Sequence, residues 1–267
     1  MKHLALTFLA LILSLASSNA TVSFYALKDA YSADPANPQV YRYDGVSNFR
    51  SGAQASITTR ISATGVSSDI AIDEQGRFYF VSGNPTDSTP VGNSTAWKEI
   101  YRWDSVADWA ANSNGIRLGQ KRTNQFQVSG FSVYQNEYYF LVGDPNSGGV
   151  KELRKYASLT NWENGSAGTL LGSRNTGSGL GFEIDAGGAV WYLEGSTQNS
   201  TSGNLYRWNS INDFLTNNNG SMNGGGFNFT FSGTSDQIGG LAVPEPSSSL
   251  LLLTSLATLS LFRRRSS

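Results

Sequence analysis

The sequence predicts an all-β fold assembled from four copies of one unit, and three observations predict it. A nine-residue pattern recurs four times along the 267 residues. Between its copies, short alternating apolar stretches are divided by turns rich in Gly, Asn, Ser and Thr, which is how strand-and-turn proteins are composed. A segment near the C-terminus also matches the strand that the first unit lacks.

The recurring pattern begins at Tyr41-Arg42-Tyr43-Asp44 and ends at Phe49; it returns as Tyr101-Arg102-Trp103-Asp104 to Trp109, Arg154-Lys155-Tyr156 to Trp162, and Tyr206-Arg207-Trp208 to Phe214. The spacings are 60, 53 and 52 residues. A repeat of that period marks a repeat architecture. The Tyr-Arg-Trp stretch alternates as a strand does. Ser105 with Asp108, and Ser210 with Asp213, are spaced to cap a short helix. Asn112 to Gly115 and Asn217 to Gly220 then supply residues that tolerate a left-handed backbone, and another strand follows. Arg42, Arg102, Lys155 and Arg207 share one repeat position, where each is expected to pair with a neighbouring unit.

A second element alternates with the first. Asp69 to Val81 reads as strand, tight turn, strand; Gly130 to Val142 repeats it around Gln135-Asn136, and Leu180 to Leu193 around Ala186-Gly187-Gly188. The glycine run Gly177 to Gly181 reads as a turn between units. Val22 to Leu27 resembles the second strand of this element, so the first copy lacks its inner strand; Ile238 to Val243 resembles that missing strand. A chain whose last strand completes its first unit leaves no open edge. The expectation is a small four-bladed β-propeller over residues 21–243, closed by a C-terminal strand, in preference to a sandwich or an open stack.

Both ends carry address signals. Lys2, an apolar run from Leu4 to Leu15 and small residues at Ser18 and Ala20 predict a signal peptide, residues 1–20, cut between Ala20 and Thr21. At the other end, Pro244-Glu245-Pro246 precedes an apolar run, about 247–262, and then Arg263-Arg264-Arg265. Sixteen helical residues span roughly 24 Å against a hydrocarbon core of roughly 30 Å. Seven leucines and Phe262 favour insertion by roughly 2.5–5 kcal/mol together, and each arginine opposes passage by about 2.5–3.5 kcal/mol. The segment is therefore expected to stop in the membrane as a single, marginal transmembrane helix with its arginines in the cytoplasm. This three-part layout, residues 243–267, resembles the PEP-CTERM sorting signal of bacteria. The resemblance implies exosortase as a processing partner beside signal peptidase, cleavage near Pro244-Glu245-Pro246, and delivery from the membrane to the cell surface or extracellular matrix.

Composition removes several chemistries. Thr21 to Val243 holds 15 Lys and Arg against 19 Asp and Glu, a net charge of −4, so nucleic acid is not an expected partner. The chain has no Cys, and its one His, His3, lies in the leader, which removes Ser-His-Asp, Cys-His and His-rich metal chemistry from the body. No cofactor is expected. The candidates for calcium, all weak, are Asp69, Asp73, Asp185 and Asp236 at or beside the inner strands, where turn chemistry competes with ligation. Trp97 is the one Trp outside the repeat pattern; in the Asn/Ser/Thr-rich insertion from Pro85 it is a candidate for stacking on a sugar ring, whereas the other Trp residues read as blade packing. No catalytic residue stands out. The reading that follows is a non-catalytic surface or matrix platform for polysaccharide, protein or calcium, or envelope architecture with no ligand. The alternative is an extracellular carbohydrate-active enzyme, which needs two carboxylates converging in an open cleft at the propeller channel.

Overall fold

Four antiparallel sheets of four strands each account for the regular structure. The computed structural model describes residues 22–28, 39–60, 67–83, 97–111, 113–122, 128–143, 149–195, 202–216, 226–228 and 238–244. The N-terminal signal, the C-terminal signal beyond Pro244, Asp236 and the insertion up to residue 96 lie outside the described residues. Ser23–Glu245 form one unit.

The first sheet runs β16 (Ile238–Ala242), β1 (Ser23–Lys28), β2 (Gln39–Asp44), β3 (Ser56–Thr59). The second runs β4 (Ser67–Ile72), β5 (Phe78–Gly83), β6 (Trp97–Trp103), β7 (Ile116–Arg122). The third is β8 (Val128–Tyr134), β9 (Glu137–Val142), β10 (Gly149–Tyr156), β11 (Thr169–Thr176). The fourth is β12 (Ser178–Ile184), β13 (Val190–Gly195), β14 (Ser202–Trp208), β15 (Gly226–Asn228). One-turn helices α1 (Val46–Ser51), α2 (Val106–Ala110), α3 (Leu159–Glu163) and α4 (Ile211–Thr216) link the third and fourth strands of each sheet. Inner strands pack in a closed circuit: β16 on β4, β4 on β8, β8 on β12, β12 on β16. This is a four-bladed propeller arrangement. The C-terminal strand closes it, with Tyr25 opposite Ala242, Ala26 opposite Leu241 and Lys28 opposite Ile238.

Local chemistry explains each unit. The Asp108 N–H donates to Ser105 Oγ at 3.1 Å and the Ser105 hydroxyl to the Asp108 carboxylate at 2.7 Å; Ser210 and Asp213 repeat both bonds. Ser158 caps α3 in the same way through the Asn161 N–H. Gln135 and Asn136 both take positive φ, 52° and 59°, as a two-residue turn between antiparallel strands requires. Two expectations change. Gly115 is not left-handed; a Cβ there would lie 2.4 Å from the Trp103 ring, so the position is a glycine to admit that ring. The glycine run Gly177 to Gly181, expected as a turn leading into a strand, is itself mostly strand, because β12 already begins at Ser178.

Aromatic residues at fixed repeat positions fill the spaces between strands and sheets. Phe49, Trp109, Trp162 and Phe214 are the buried aromatic residues of the four helical turns, and Leu159 is buried beside Trp162. Phe140 stacks on Trp162 at 5.2 Å, and Phe78 tilts against Trp109 at 5.3 Å. Cations on the outer edge of one sheet lie over aromatic rings of the next. Arg60 covers Trp103 at 5.2 Å, Lys121 covers Trp162 at 5.9 Å, and Arg174 covers Trp208 at 4.1 Å. Arg60 and Arg174 also donate to the carbonyls of Trp109 and Phe214 at the ends of those turns. The expected inter-unit cations were others. Arg42 pairs with Asp44 on its own strand, Lys155 with Glu137 of the adjacent strand, and Arg207 bonds Asn209 and lies over Trp191 of its own sheet. The Tyr-Arg-Trp strand is third from the axis, so its cations meet partners within the sheet; the fourth strand faces the neighbour.

Each inner strand carries an irregularity immediately before the residues Asp69, Gly130, Gly181 and Gly240–Leu241. Close packing follows: a Cβ on Gly181 would stand 2.6 Å from the Leu241 backbone nitrogen, and one on Gly130 2.4 Å from Phe182 Cβ. Gly181→Ala is therefore expected to destabilise the protein by about 1–3 kcal/mol through overpacking. Gly149→Ala, where nothing lies within 4 Å, is expected to be nearly neutral. Urea midpoints of the two variants compare them directly, and equal midpoints would contradict this packing.

Candidate functional site

Aligning the inner strands places Asp69, Gly130, Gly181 and Gly240 at one repeat position. Ile70, Phe131, Phe182 and Leu241 follow at the next. Asp69 is fully buried, and its carboxylate collects backbone N–H groups from all four inner strands. Oδ1 accepts from Ile70 at 2.9 Å and from Leu241 at 3.2 Å, Oδ2 accepts from Phe131 at 2.7 Å, and the Phe182 N–H adds a fourth bond. The three glycines leave the room that this one side chain fills. Four N–H dipoles aimed at one point form an anion nest, and Asp69 supplies the anion from within the chain.

Two residues further along, the repeat position holds Ala71, Ser132, Glu183 and Ala242. Glu183 is buried; its Oε1 accepts from the Ser132 hydroxyl at 3.1 Å, and Ser132 Oγ accepts from the Ile184 N–H at 2.9 Å. Oε2 has no partner among the described residues. Burial pushes both acids well above the ordinary carboxylate range, and for Glu183 the charge of Asp69 adds to it. In Asp69 the four N–H donors oppose the rise, whereas Glu183 has one hydroxyl. The hydrogen-bond geometry therefore favours the negative charge on Asp69 over Glu183.

The other calcium candidates are engaged as turn residues. Asp73 accepts from the Gln75 and Arg77 N–H groups, from Arg77 Nε at 2.6 Å and from the Tyr79 hydroxyl at 2.9 Å. Asp185 accepts from the Ala189 N–H and from Trp191 Nε1, both at 2.8 Å. Donors thus surround the carboxylates of Asp69, Asp73 and Asp185, a setting that suits an anion and repels a cation. Among the described residues no group of three or more metal-ligating side chains is present. Trp97 is the first residue of β6, opposite Arg122, rather than a loop residue, because the strand must extend to that register. Its side chain lies outside the described residues.

The sequence did not point to a cavity of about 430 Å³ where the end of β11 meets β13 and β14, walled by Arg174, Thr176, Tyr192, Glu194, Tyr206 and Trp208. The Gly177 N–H donates to Glu194 Oε1 at 2.6 Å, while its carbonyl accepts from Lys151 Nζ at 2.9 Å and from the Tyr192 hydroxyl at 3.1 Å. Burial lowers the Arg174 pKa and raises that of Tyr192. The available signal was a break in the repeat: Tyr192 and Glu194 stand where the second sheet has Phe80 and Ser82 and the third has Phe140 and Val142.

No family model matches the chain, and no curated protein matches it. Among solved structures it is similar to the β-propeller domain of the Trilobed protease from Pyrococcus furiosus, described as having an open velcro topology. The identity is 11% and the TM-score 0.25, over 64% of this chain and 46% of that one. The chain thus spans less than half the length of that structure.

Asp69→Asn turns an amide N–H toward backbone donors, and is expected to cost about 3 kcal/mol as buried groups lose their partner. Chemical denaturation measures it; a loss below about 0.5 kcal/mol would contradict the four-strand role. Glu183 titrates with the opposite sense to a salt-bridged acid. Its folded pKa is raised, so its contribution is fully present below the unfolded value near about 4.3 and is lost as pH rises through the folded value. Glu183→Gln is expected to flatten the fall of stability with rising pH. An unchanged pH profile would remove Glu183 from this role.

Proposed function

We propose that this protein is an exported bacterial platform that serves binding or structure rather than catalysis, held briefly at the membrane and then released to the cell surface or extracellular matrix. The tail Pro244-Glu245-Pro246, its apolar run and Arg263-Arg264-Arg265 support sorting through a PEP-CTERM signal, with exosortase and signal peptidase as processing partners. Among the described residues no helix is long and apolar enough to cross a membrane; the apolar run lies outside them. The observation that carries the non-catalytic reading is the state of the two acids where the inner strands converge. Asp69 and Glu183 are 0% and 1% exposed, and Asp69 is consumed by backbone donors. A glycosidase needs two carboxylates flanking a substrate in an open site. These two are sealed. The cavity beside β11 holds one carboxylate, Glu194, which favours binding there over hydrolysis. Extracellular polysaccharide remains the proposed partner.

Processing is read by mass spectrometry of protein from a producing strain. The mature chain is expected to begin at Thr21 and to end near Pro244-Glu245-Pro246, without Arg263-Arg264-Arg265. Surface protein that keeps the arginines would overturn the sorting reading. Glycan-array binding by the body, with calcium added and withheld, tests the platform; hydrolysis of an arrayed glycan would favour the enzyme instead.

A further inference from the structure

We propose that the cavity between the third and fourth sheets is a binding site for a neutral hexose unit. The repeat serves as an internal control. Equivalent positions in the second and third sheets hold Phe80 and Phe140, each packed on its helical-turn Trp. In the fourth sheet that position is Tyr192, whose hydroxyl contacts Thr176 Oγ1 at 3.2 Å and the Gly177 carbonyl. Two residues on, Glu194 replaces Ser82 and Val142. Here a hydroxyl-bearing ring and a carboxylate stand where the third sheet has Phe140 and Val142, and the space beside them is a cavity, which packing alone does not require.

The wall chemistry selects the ligand class. About 430 Å³ lies within the range of small-molecule sites. The Tyr206 ring lies parallel to Trp208 at 5.7 Å and is half-buried, which leaves aromatic surface for the C–H face of a pyranose. The Tyr206 hydroxyl donates to Glu194, while the side chains of Asn175 and Thr176 add donors and acceptors along the same wall. Among the described residues Trp208 Nε1 has no acceptor, whereas its counterparts Trp103 Nε1 and Tyr156 Oη donate to the Ser113 and Ala167 carbonyls. Mixed donors and acceptors at short spacing match adjacent hydroxyls, each of which does both. Arg174 is committed to the Phe214 carbonyl and two aromatic rings, and Glu194 offsets its charge, so among the described residues the cavity wall offers no further cation to select a carboxylate sugar.

This inference deepens the platform reading and rests on it. The test is titration of the processed protein, residues 21–243, with D-glucose, D-galactose and D-mannose and with D-glucuronate as the charged comparison, followed by ¹⁵N and side-chain NMR shifts. Saturable binding of at least one neutral hexose is expected, with shifts centred on Glu194 and Tyr206. Tyr206→Phe and Glu194→Gln are each expected to weaken it at least tenfold, while Tyr101→Phe, the counterpart in the second sheet, leaves it unchanged. Glucuronate binding tighter than every neutral hexose, no saturation by any hexose up to about 100 mM, roughly a hundredfold above a millimolar Kd, or equal effects of Tyr206→Phe and Tyr101→Phe would each overturn it. Binding of longer glycans on the array with no response in this cavity would sink the pocket and leave the platform standing.

Discussion

One carboxylate holds the centre of this fold. The Asp69 side chain belongs to a single strand, yet its two oxygens take N–H groups from the inner strands of all four sheets. A four-bladed ring is the tightest of the propellers, and its inner strands approach so closely that glycine is required at Gly130, Gly181 and Gly240. Those glycines bring backbone donors from four strands together around one point. Four unmet buried N–H groups would cost several kcal/mol, so the ring needs an acceptor at that point. Asp69 meets the need and thereby couples all four blades. Glu183, one layer away, has its pKa pushed up by burial and by Asp69 beside it.

The same geometry bears on function. Larger propellers have a central channel in which a ligand or a pair of catalytic acids can reside. Here the convergence is filled by the chain's own acid, and open space lies instead at a junction between sheets, beside β11. Three of those junctions carry a cation over an aromatic ring, Arg60 on Trp103, Lys121 on Trp162 and Arg174 on Trp208. Only the last of these combines that clasp with Tyr192 and Glu194 and opens into the cavity. Departure from the repeat is thus informative twice: Asp69 among three glycines marks the structural keystone, and Tyr192 with Glu194, in place of Phe140 and Val142 of the third sheet, marks the hollow.

Much of the fold was legible because repeats advertise themselves. The four Tyr-Arg-Trp stretches, the Ser105 and Ser210 caps, the Gln135-Asn136 turn and closure by Ile238 to Ala242 follow from local patterns whose energetics are local too. The role of Asp69 was not legible. In sequence it is an acid beside an inner strand, equally suited to calcium, and only the convergence of N–H groups from residues as distant as Phe131 and Leu241 shows what it binds. The inter-sheet cations were misassigned for a similar reason. Arg42 and Arg207 repeat conspicuously, but which strand faces the neighbour is a tertiary fact, and it selects Arg60 and Arg174. The cavity escaped notice because no single residue in it is unusual; its signal lay in comparing Tyr192 and Glu194 with their counterparts.

The central claim is that one acid couples four sheets, and amide hydrogen exchange tests it most directly. In the native protein the N–H groups of Ile70, Phe131, Phe182 and Leu241 are expected to exchange only on global unfolding. In Asp69→Gly, which makes all four repeat positions alike, the four are expected to lose protection together although three of them belong to other sheets. Loss confined to Ile70, with Phe131, Phe182 and Leu241 still protected, would contradict the account.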